Sequence, residues 1–180
     1  VAFQALGLME ATWRLAKDYA SQRVSWGKPI AQHELIAEKL LDMEVELKAA
    51  RSLCYDTAYN YSLQNTLEHA LELAPEGDQK DDFEKQLGKV RSKVRKHTPL
   101  IKYWLAEKAV DHARTCLQIH GGYGYVKEYR AEWWMRESLI YPLYEGTSQM
   151  QALMSTKDTI KSVMKNPKQL LDQVISLNVK

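Results

Sequence analysis

Glycine and proline are scarce in this chain, eight and five among 180 residues. So little punctuation excludes an architecture of many tight turns and reads as long helices. Cysteine is scarcer still. Cys54 and Cys116 stand alone in their segments, with no C-x-x-C spacing and no disulfide framework, so a reducing compartment is the default. No apolar run approaches the roughly 18 residues of a membrane helix, and no basic segment leads into an apolar stretch as in a secretory signal. A formal net charge of +2 is too small to make a nucleic-acid surface. None of the five histidines has an acid three positions earlier, which removes the Glu-x-x-His pairs of di-metal helical bundles, and no other metal-ligand cluster is present. G-x-S-x-G, a P-loop and a strand-rich region able to build a dinucleotide fold are absent as well.

What is present is an ordinary globular composition, 45% hydrophobic and 27% charged, long enough for one domain with a proper core. The chain opens Val1-Ala2-Phe3, without Met and already in a helical pattern, as expected of a piece cut from something longer. A first helix over residues 1–22 places Phe3, Leu6, Met9, Trp13, Ala16 and Ala20 on one stripe. Gly27 and Pro29 then mark a turn carrying an exposed Trp26–Arg23 pair; the bland alternative has Trp26 packing over the corner and Arg23 as a solvated helix-end cation. In the next helix Ile36, Leu40, Met43, Leu47, Ala50, Cys54, Ala58 and Tyr61 form a seam, which makes Cys54 a small buried hydrophobe rather than a nucleophile. That helix stops near Ala74-Pro75-Glu76-Gly77.

Residues 78–96 are highly charged, acids first (Asp78, Asp81, Asp82, Glu84) and bases later (Lys89, Arg91, Lys93, Arg95, Lys96). That order complements a helix dipole. The bases spread around the helix, so a solvated helical arm is expected in preference to a nucleic-acid patch. Pro99 is expected to start the third core helix, with the stripe Leu105, Ala109, His112, Cys116 and Ile119. His112 reads as a satisfied core histidine. The helix runs into His120-Gly121-Gly122-Tyr123-Gly124, where backbone approaches a ligand closely or a helix simply ends. A fourth helix carries Trp133, Trp134, Arg136 and Leu139 toward Glu145, and a fifth follows from Thr147 to about Met164. Pro167 then separates a short amphipathic piece, residues 169–177.

Leu143-Tyr144-Glu145-Gly146-Thr147-Ser148-Gln149 is the one stretch that frames a carboxylate for chemistry. Ile140, Tyr141, Leu143 and Tyr144 are expected to strip water from Glu145 and raise its pKa toward that of a useful base. Gly146 lets backbone pass close to a ligand, and Thr147 and Ser148 are natural N-caps. A plain helix–helix connection is the competing reading.

Several ordered blocks resemble the C-terminal helical domain of the acyl-CoA dehydrogenase family: Arg23-Val24-Ser25-Trp26-Gly27-Lys28-Pro29-Ile30, Leu41-Asp42-Met43, Gln118-Ile119-His120-Gly121-Gly122-Tyr123-Gly124, Met135-Arg136-Glu137 and Tyr144-Glu145-Gly146-Thr147-Ser148-Gln149. The resemblance implies an all-α fold, an up-and-down four-helix bundle over residues 1–166 with an extended charged helical insertion at 60–98, and an amphipathic extension over 167–180. It implies a homodimer or homotetramer with one FAD per subunit, α,β-desaturation of an acyl-CoA thioester, and electron-transfer flavoprotein as acceptor. A bacterial cytoplasm or a mitochondrial matrix is the matching location, and fatty-acid β-oxidation the matching metabolism.

By position, Glu145 resembles the catalytic base that removes the α-proton while hydride passes to the flavin, and Gly146 lies beside the substrate. Arg23 and Ser25 fall where the family contacts the FAD of a neighbouring subunit, and Trp26 stands where the family usually has Phe. Gln118, Gly121 and Gly122 match the loop near the adenine end of a partner's FAD; Thr147 and Gln149 match helix-start contacts to FAD. His33-Glu34 replaces the usual His-Gln pair, and Arg136-Glu137 the usual Arg-Asp. The charged insertion is longer than the family's connection. An acyl-CoA oxidase shares the same half-reaction, and a non-catalytic helical oligomerisation module is the alternative from another class. The 180 residues alone are expected to fold and self-associate without dehydrogenase activity.

Overall fold

The computed structural model describes residues 1–165 and 167, and they are helical almost throughout. The order is α1 (Ala2–Gln22), β1 (Val24–Ser25), β2 (Lys28–Pro29), a 3-10 turn (Ile30–Gln32), α2 (Glu34–Leu73), α3 (Asp78–His120), α4 (Gly122–Tyr125), α5 (Arg130–Ser138) and α6 (Ser148–Lys165). Four long helices, α1, α2, α3 and α6, make an all-α bundle in which α3 packs against each of the other three and against α5. The amphipathic extension expected over 167–180 lies, Pro167 apart, outside the described residues.

Small residues bring the helices together. On α1 the buried stripe is Ala5, Leu8, Met9, Thr12, Ala16 and Ala20. Ala5, Leu8 and Met9 cluster with Ile101, Leu105, Ala109 and Ala113 of α3 and Leu47, Ala50 and Cys54 of α2, and Ala16 and Ala20 with Met43, Cys116, Ile119 and Ala131. The stripe is rotated from the expected one: alanines take the interface because they let helix axes approach, and Phe3 stays 49% exposed with its edge toward Tyr55, centroids 6.4 Å apart. The α3 stripe Leu105, Ala109, His112, Cys116 and Ile119 is buried as expected. Burial of side chains such as Met9 and Leu105 contributes about 1.5–3 kcal/mol each.

The α2 seam holds through Cys54 and then departs from expectation. Thr57, Asn60 and Leu67 are buried, whereas Ala58 and Tyr61 face outward. A heptad seam that steps by four into Cys54 must next step by three, which puts Thr57 inside. Its hydroxyl donates to the Leu53 carbonyl at 2.8 Å, so the polar group is satisfied by its own helix.

Pro99 starts no helix. It sits buried inside α3, which runs unbroken from Asp78. A mid-helix proline removes one backbone bond; here packing on both sides holds the helix together. The Thr98 hydroxyl bonds the Val94 carbonyl at 2.9 Å. Lys93 pairs with Asp56 of α2 at 2.9 Å, Arg91 with Glu68 at 2.8 Å and Arg95 with Asp158 of α6 at 2.8 Å. Residues 60–98 are therefore the paired far ends of α2 and α3 and the turn between them, with Leu67, Leu87 and Val94 buried along them. Exposed ion pairs of this kind add up to about 1 kcal/mol each, so they set register more than stability.

Candidate active site on the loop between α5 and α6

The loop over residues 139–147 turns on several backbone bonds. Leu143 and Tyr144 N–H both donate to the Ile140 carbonyl, at 3.0 and 3.2 Å, and Ser148 N–H donates to Pro142 at 2.9 Å. At its end Glu145 takes φ +53° and Gly146 φ +95°. Left-handed backbone costs a non-glycine residue about 1–3 kcal/mol, and surrounding structure must hold it there. Three side chains do so. Gln151 Nε2 donates to the Glu145 carbonyl at 3.0 Å. Tyr144 Oη donates to Gln4 Oε1 of α1 at 2.6 Å. Lys102 of α3 donates to the carbonyls of Tyr141, at 2.9 Å, and Gly146, at 2.5 Å.

The apolar neighbours do not shield Glu145 within this chain. Ile140 is 48% and Leu143 60% exposed, and Glu145 is exposed beside them. Residues adjacent along an irregular loop point in different directions, so an apolar run there does not enclose its own carboxylate. Burial instead raises the pKa of Tyr141, and of Tyr144 with the Glu145 charge adding to it. Thr147 is the residue whose carbonyl accepts the first bond of α6, from Gln151 N–H at 3.0 Å; Thr147 and Gln149 are exposed at that helix start, where free N–H groups favour anions. Ser148 Oγ, between them, is buried without a hydrogen-bond partner.

A second location gathers other expected residues. β1 and β2 form a hairpin pairing Val24 with Pro29 and Ser25 with Lys28. Its two-residue tip, Trp26-Gly27, has φ +53° and +79°, the positive pair of a type I′ turn. Trp26 is 94% exposed, so it does not pack over the corner. Behind the hairpin, Tyr19, Arg23, Ser25 and Ile30 face Ile119, His120, Gly121, Gly122, Tyr123 and Val126 across a cavity of about 530 Å³. Tyr19 stacks on His120 with centroids 4.1 Å apart, and the Arg23 guanidinium lies 5.4 Å from the Tyr123 ring centroid. Cβ atoms built on Gly121 or Gly122 would meet nothing within 4 Å, so both backbones border open space.

His33 Nε2 lies 3.0 Å from the Ser25 carbonyl and steadies the hairpin from the start of α2, where Glu34 is exposed. Gln118 faces away from this cavity, into a charged groove with Lys39, Asp111, Arg114 and Thr115. Thus Arg23, Ser25, Gly121 and Gly122 come together; Glu145, Gly146, Thr147 and Gln149 form a separate group that does not line the same cavity.

Tyr19 and Lys102 go unmarked in the sequence, and His120 enters it only as the residue before the glycine corner. Lys102 had a signal. It stands three residues before Leu105, on the buried side of α3, and a lysine at that position demands a partner. Both cysteines are buried and their thiols pushed up by burial, Cys116 to about 12, which leaves no reactive thiolate. Among the described residues no group of three His, Cys, Asp or Glu side chains is placed to hold a metal, and no helix is long and apolar enough to cross a membrane.

Residues 1–159 match the family described as acyl-CoA dehydrogenase, C-terminal domain. The chain is 35% identical over 157 residues to an acyl-CoA dehydrogenase of Bacillus subtilis, covering 87% of this chain and 34% of that protein. It is 34% identical over 161 residues to a 3-(aryl)acrylate reductase of Clostridium sporogenes, covering 89% of this chain and 36% of that one. It therefore spans about a third of the length of the curated relatives it matches. The crystal structure of an acyl-CoA dehydrogenase complexed with FAD from Bacillus anthracis superposes on 92% of this chain and 28% of that one, with TM-score 0.73 and 25% identity. With that match running from α1 into α6, the chain belongs to the acyl-CoA dehydrogenase family and carries its C-terminal domain.

Proposed function

We propose that this chain works as the C-terminal domain of a FAD-dependent acyl-CoA dehydrogenase in which Glu145 removes the α-proton of an acyl-CoA thioester. The observation that carries the reading is Glu145 itself, a carboxylate on a left-handed backbone fixed from α3 and α6, next to a glycine. An α-C–H beside a thioester is weakly acidic, so the base must be held at the reacting carbon and not left to find it. A Glu145 oxygen takes the proton. Gly146 keeps side-chain bulk away from the thioester. Water exclusion around the pair falls to surfaces outside this chain, since Glu145 is exposed here.

The cavity between the hairpin and the glycine corner fits the dinucleotide half of FAD. Arg23 supplies a planar cation for pyrophosphate, Ser25 a hydroxyl, Tyr19 and His120 an aromatic surface, and Gly121 and Gly122 open backbone. Trp26, exposed at the hairpin tip, is the further cofactor contact, with His33 and Glu34 behind it; Gln118 faces the neighbouring charged groove and takes no part in this cavity. Thr147 and Gln149 offer a helix start to a phosphate or ring edge. When bound, FAD supplies the hydride acceptor. In this reading Arg23 serves the flavin of a partner subunit and Glu145 acts beside that of its own, a division compatible with their lying in separate groups. The assembly is then a homodimer or homotetramer, in a bacterial cytoplasm, with electron-transfer flavoprotein as acceptor. The bundle unit is residues 1–166, and the paired helix ends at 60–98 serve as an arm.

The test is anaerobic bleaching of the flavin in the full-length enzyme by a panel of acyl-CoAs, beside E145Q. Bleaching by at least one acyl-CoA, lost in E145Q with FAD still bound, is the expected result. Equal bleaching in both proteins would move the base elsewhere. Similarity to a 3-(aryl)acrylate reductase favours a second reading, the same residues run toward reduction with Glu145 returning the proton; enoyl-CoA re-oxidation of the reduced enzyme separates the two.

A further inference from the structure

Lys102 is out of place by the usual rules for lysine. It lies in the buried face of α3, 7% exposed, and the hydrogen-bond partners of its ammonium among the described residues are carbonyls rather than carboxylates. A buried ammonium without an ion-pair partner is costly, and neutral side chains of similar length fill such positions more cheaply. Its partners are two main-chain carbonyls of the loop between α5 and α6. They are not arbitrary ones. Tyr141 and Gly146 bracket Glu145, and neither carbonyl is taken up in a helix ladder, so both are free to accept from a side chain. Lysine brings three N–H donors on one atom, enough to hold two carbonyls five residues apart in sequence and leave one donor over.

The effect on Glu145 follows from geometry. Gly146 sits at φ +95° and Glu145 at φ +53°, a pair of dihedrals that the loop does not adopt by default. Lys102 fixes the far side of that kink, at the Gly146 carbonyl, to the most deeply packed helix of the bundle. Gln151 fixes the near side, at the Glu145 carbonyl. Burial pushes the Lys102 pKa down, while the charges of Glu107 and Glu145 act in the opposite direction, which places Glu145 within electrostatic reach of the ammonium.

We propose that Lys102 is a positioning residue for the base: its buried ammonium ties down the carbonyls on either side of Glu145 and so holds the carboxylate at the substrate α-carbon, without touching substrate. This rests on Glu145 being the base.

The experiment uses the full-length, FAD-loaded enzyme and compares wild type, K102M, K102R and E145Q. The limiting rate of anaerobic flavin bleaching and the dissociation constant of the acyl-CoA are measured separately, with amide hydrogen exchange over residues 141–148 as a readout independent of turnover. For K102M the expected result is a limiting rate lower by about 10²-fold, with acyl-CoA affinity within about threefold of wild type and faster exchange in the loop. Arginine keeps the charge and the donors, so K102R is expected to recover about tenfold of that rate. If K102M does not load FAD, K102Q, which keeps two donors without the charge, is measured in its place against the same split. A K102M rate close to wild type overturns the proposal, as does a rate loss matched by an equal loss of affinity, or loop protection restored in K102R with no recovery of rate. Wild-type bleaching in E145Q overturns the base itself and this inference with it; a silent E145Q beside an unimpaired K102M overturns only the role of Lys102.

Discussion

Gln151 reaches back from the first turn of α6 and donates its Nε2 to the Glu145 carbonyl at 3.0 Å, across the space that a side chain on residue 146 would need. A Cβ built on Gly146 lies 2.6 Å from that nitrogen. The glycine is therefore required twice, by its φ of +95° and by its neighbour's hydrogen bond. G146A is expected to cost about 1–2 kcal/mol of stability and to lower the limiting bleaching rate by more than about tenfold, because the displaced Gln151 releases the residue that carries the carboxylate. Thermal unfolding and single-turnover bleaching check the two effects separately.

Arg23 is exposed at the end of α1 and carries little of the core, so its removal isolates a binding role. R23M is expected to weaken FAD binding by about 10- to 100-fold, the worth of one charge-assisted hydrogen bond of about 1.5–3 kcal/mol, with thermal stability of the FAD-free protein unchanged. Equilibrium titration of the apoenzyme with FAD measures it. The loss should be smaller at high salt.

His112 and His120 are both buried, and burial lowers both of their pKa values from the ordinary 6.5. Around His112 stand Glu46, at 3.1 Å from Nε2, and Lys108, which pairs with the same Glu46 at 2.6 Å; Lys39 and Asp111 line the adjacent groove. A histidine whose folded pKa is depressed binds its proton more readily when unfolded, so stability is full above 6.5 and falls as pH drops through that value, until the folded pKa is reached. Melting temperature is expected to decline on acidification below about pH 6.5. The decline should be shallower in H120Q. A flat profile between about pH 7 and 5 would contradict the burial-driven shift.

Leu105 is fully buried where α1, α2 and α3 meet. L105A is expected to destabilise by about 2–5 kcal/mol, lost packing adding to the cavity term. Denaturant unfolding gives the value directly.

Much of the fold is legible in the chain. The Leu105–Ile119 stripe of α3 and the α2 seam as far as Cys54 follow from helical period alone. Beyond Cys54 the apolar residues Ala58 and Tyr61 draw the eye to the wrong face, because period outranks polarity once a Thr or Asn satisfies itself on its own helix. Pro99 misleads for a related reason: local propensity favours a helix start there, and packing on α2 and α6 overrides it. At the site, glycines and the Glu145 segment can be read in order along the chain. The bonds that shape them cannot, since Lys102 and Gln4 lie far from residue 145 in sequence and are polar residues of a kind usually left in solvent. The exposure of Glu145 was the least legible feature, because apolar residues on an irregular loop enclose nothing by themselves.

The most direct measurement is exchange of the α-proton. An acyl-CoA analogue with oxygen in place of the β-carbon cannot be oxidised but keeps its α-C–H. Bound to the full-length, FAD-loaded enzyme in D₂O, it should take up deuterium at the α-position, followed by NMR, with exchange slower by at least about 10³-fold in E145Q at unchanged analogue affinity. Exchange in E145Q at the wild-type rate, with the analogue bound equally well, would contradict the assignment of Glu145 as the base.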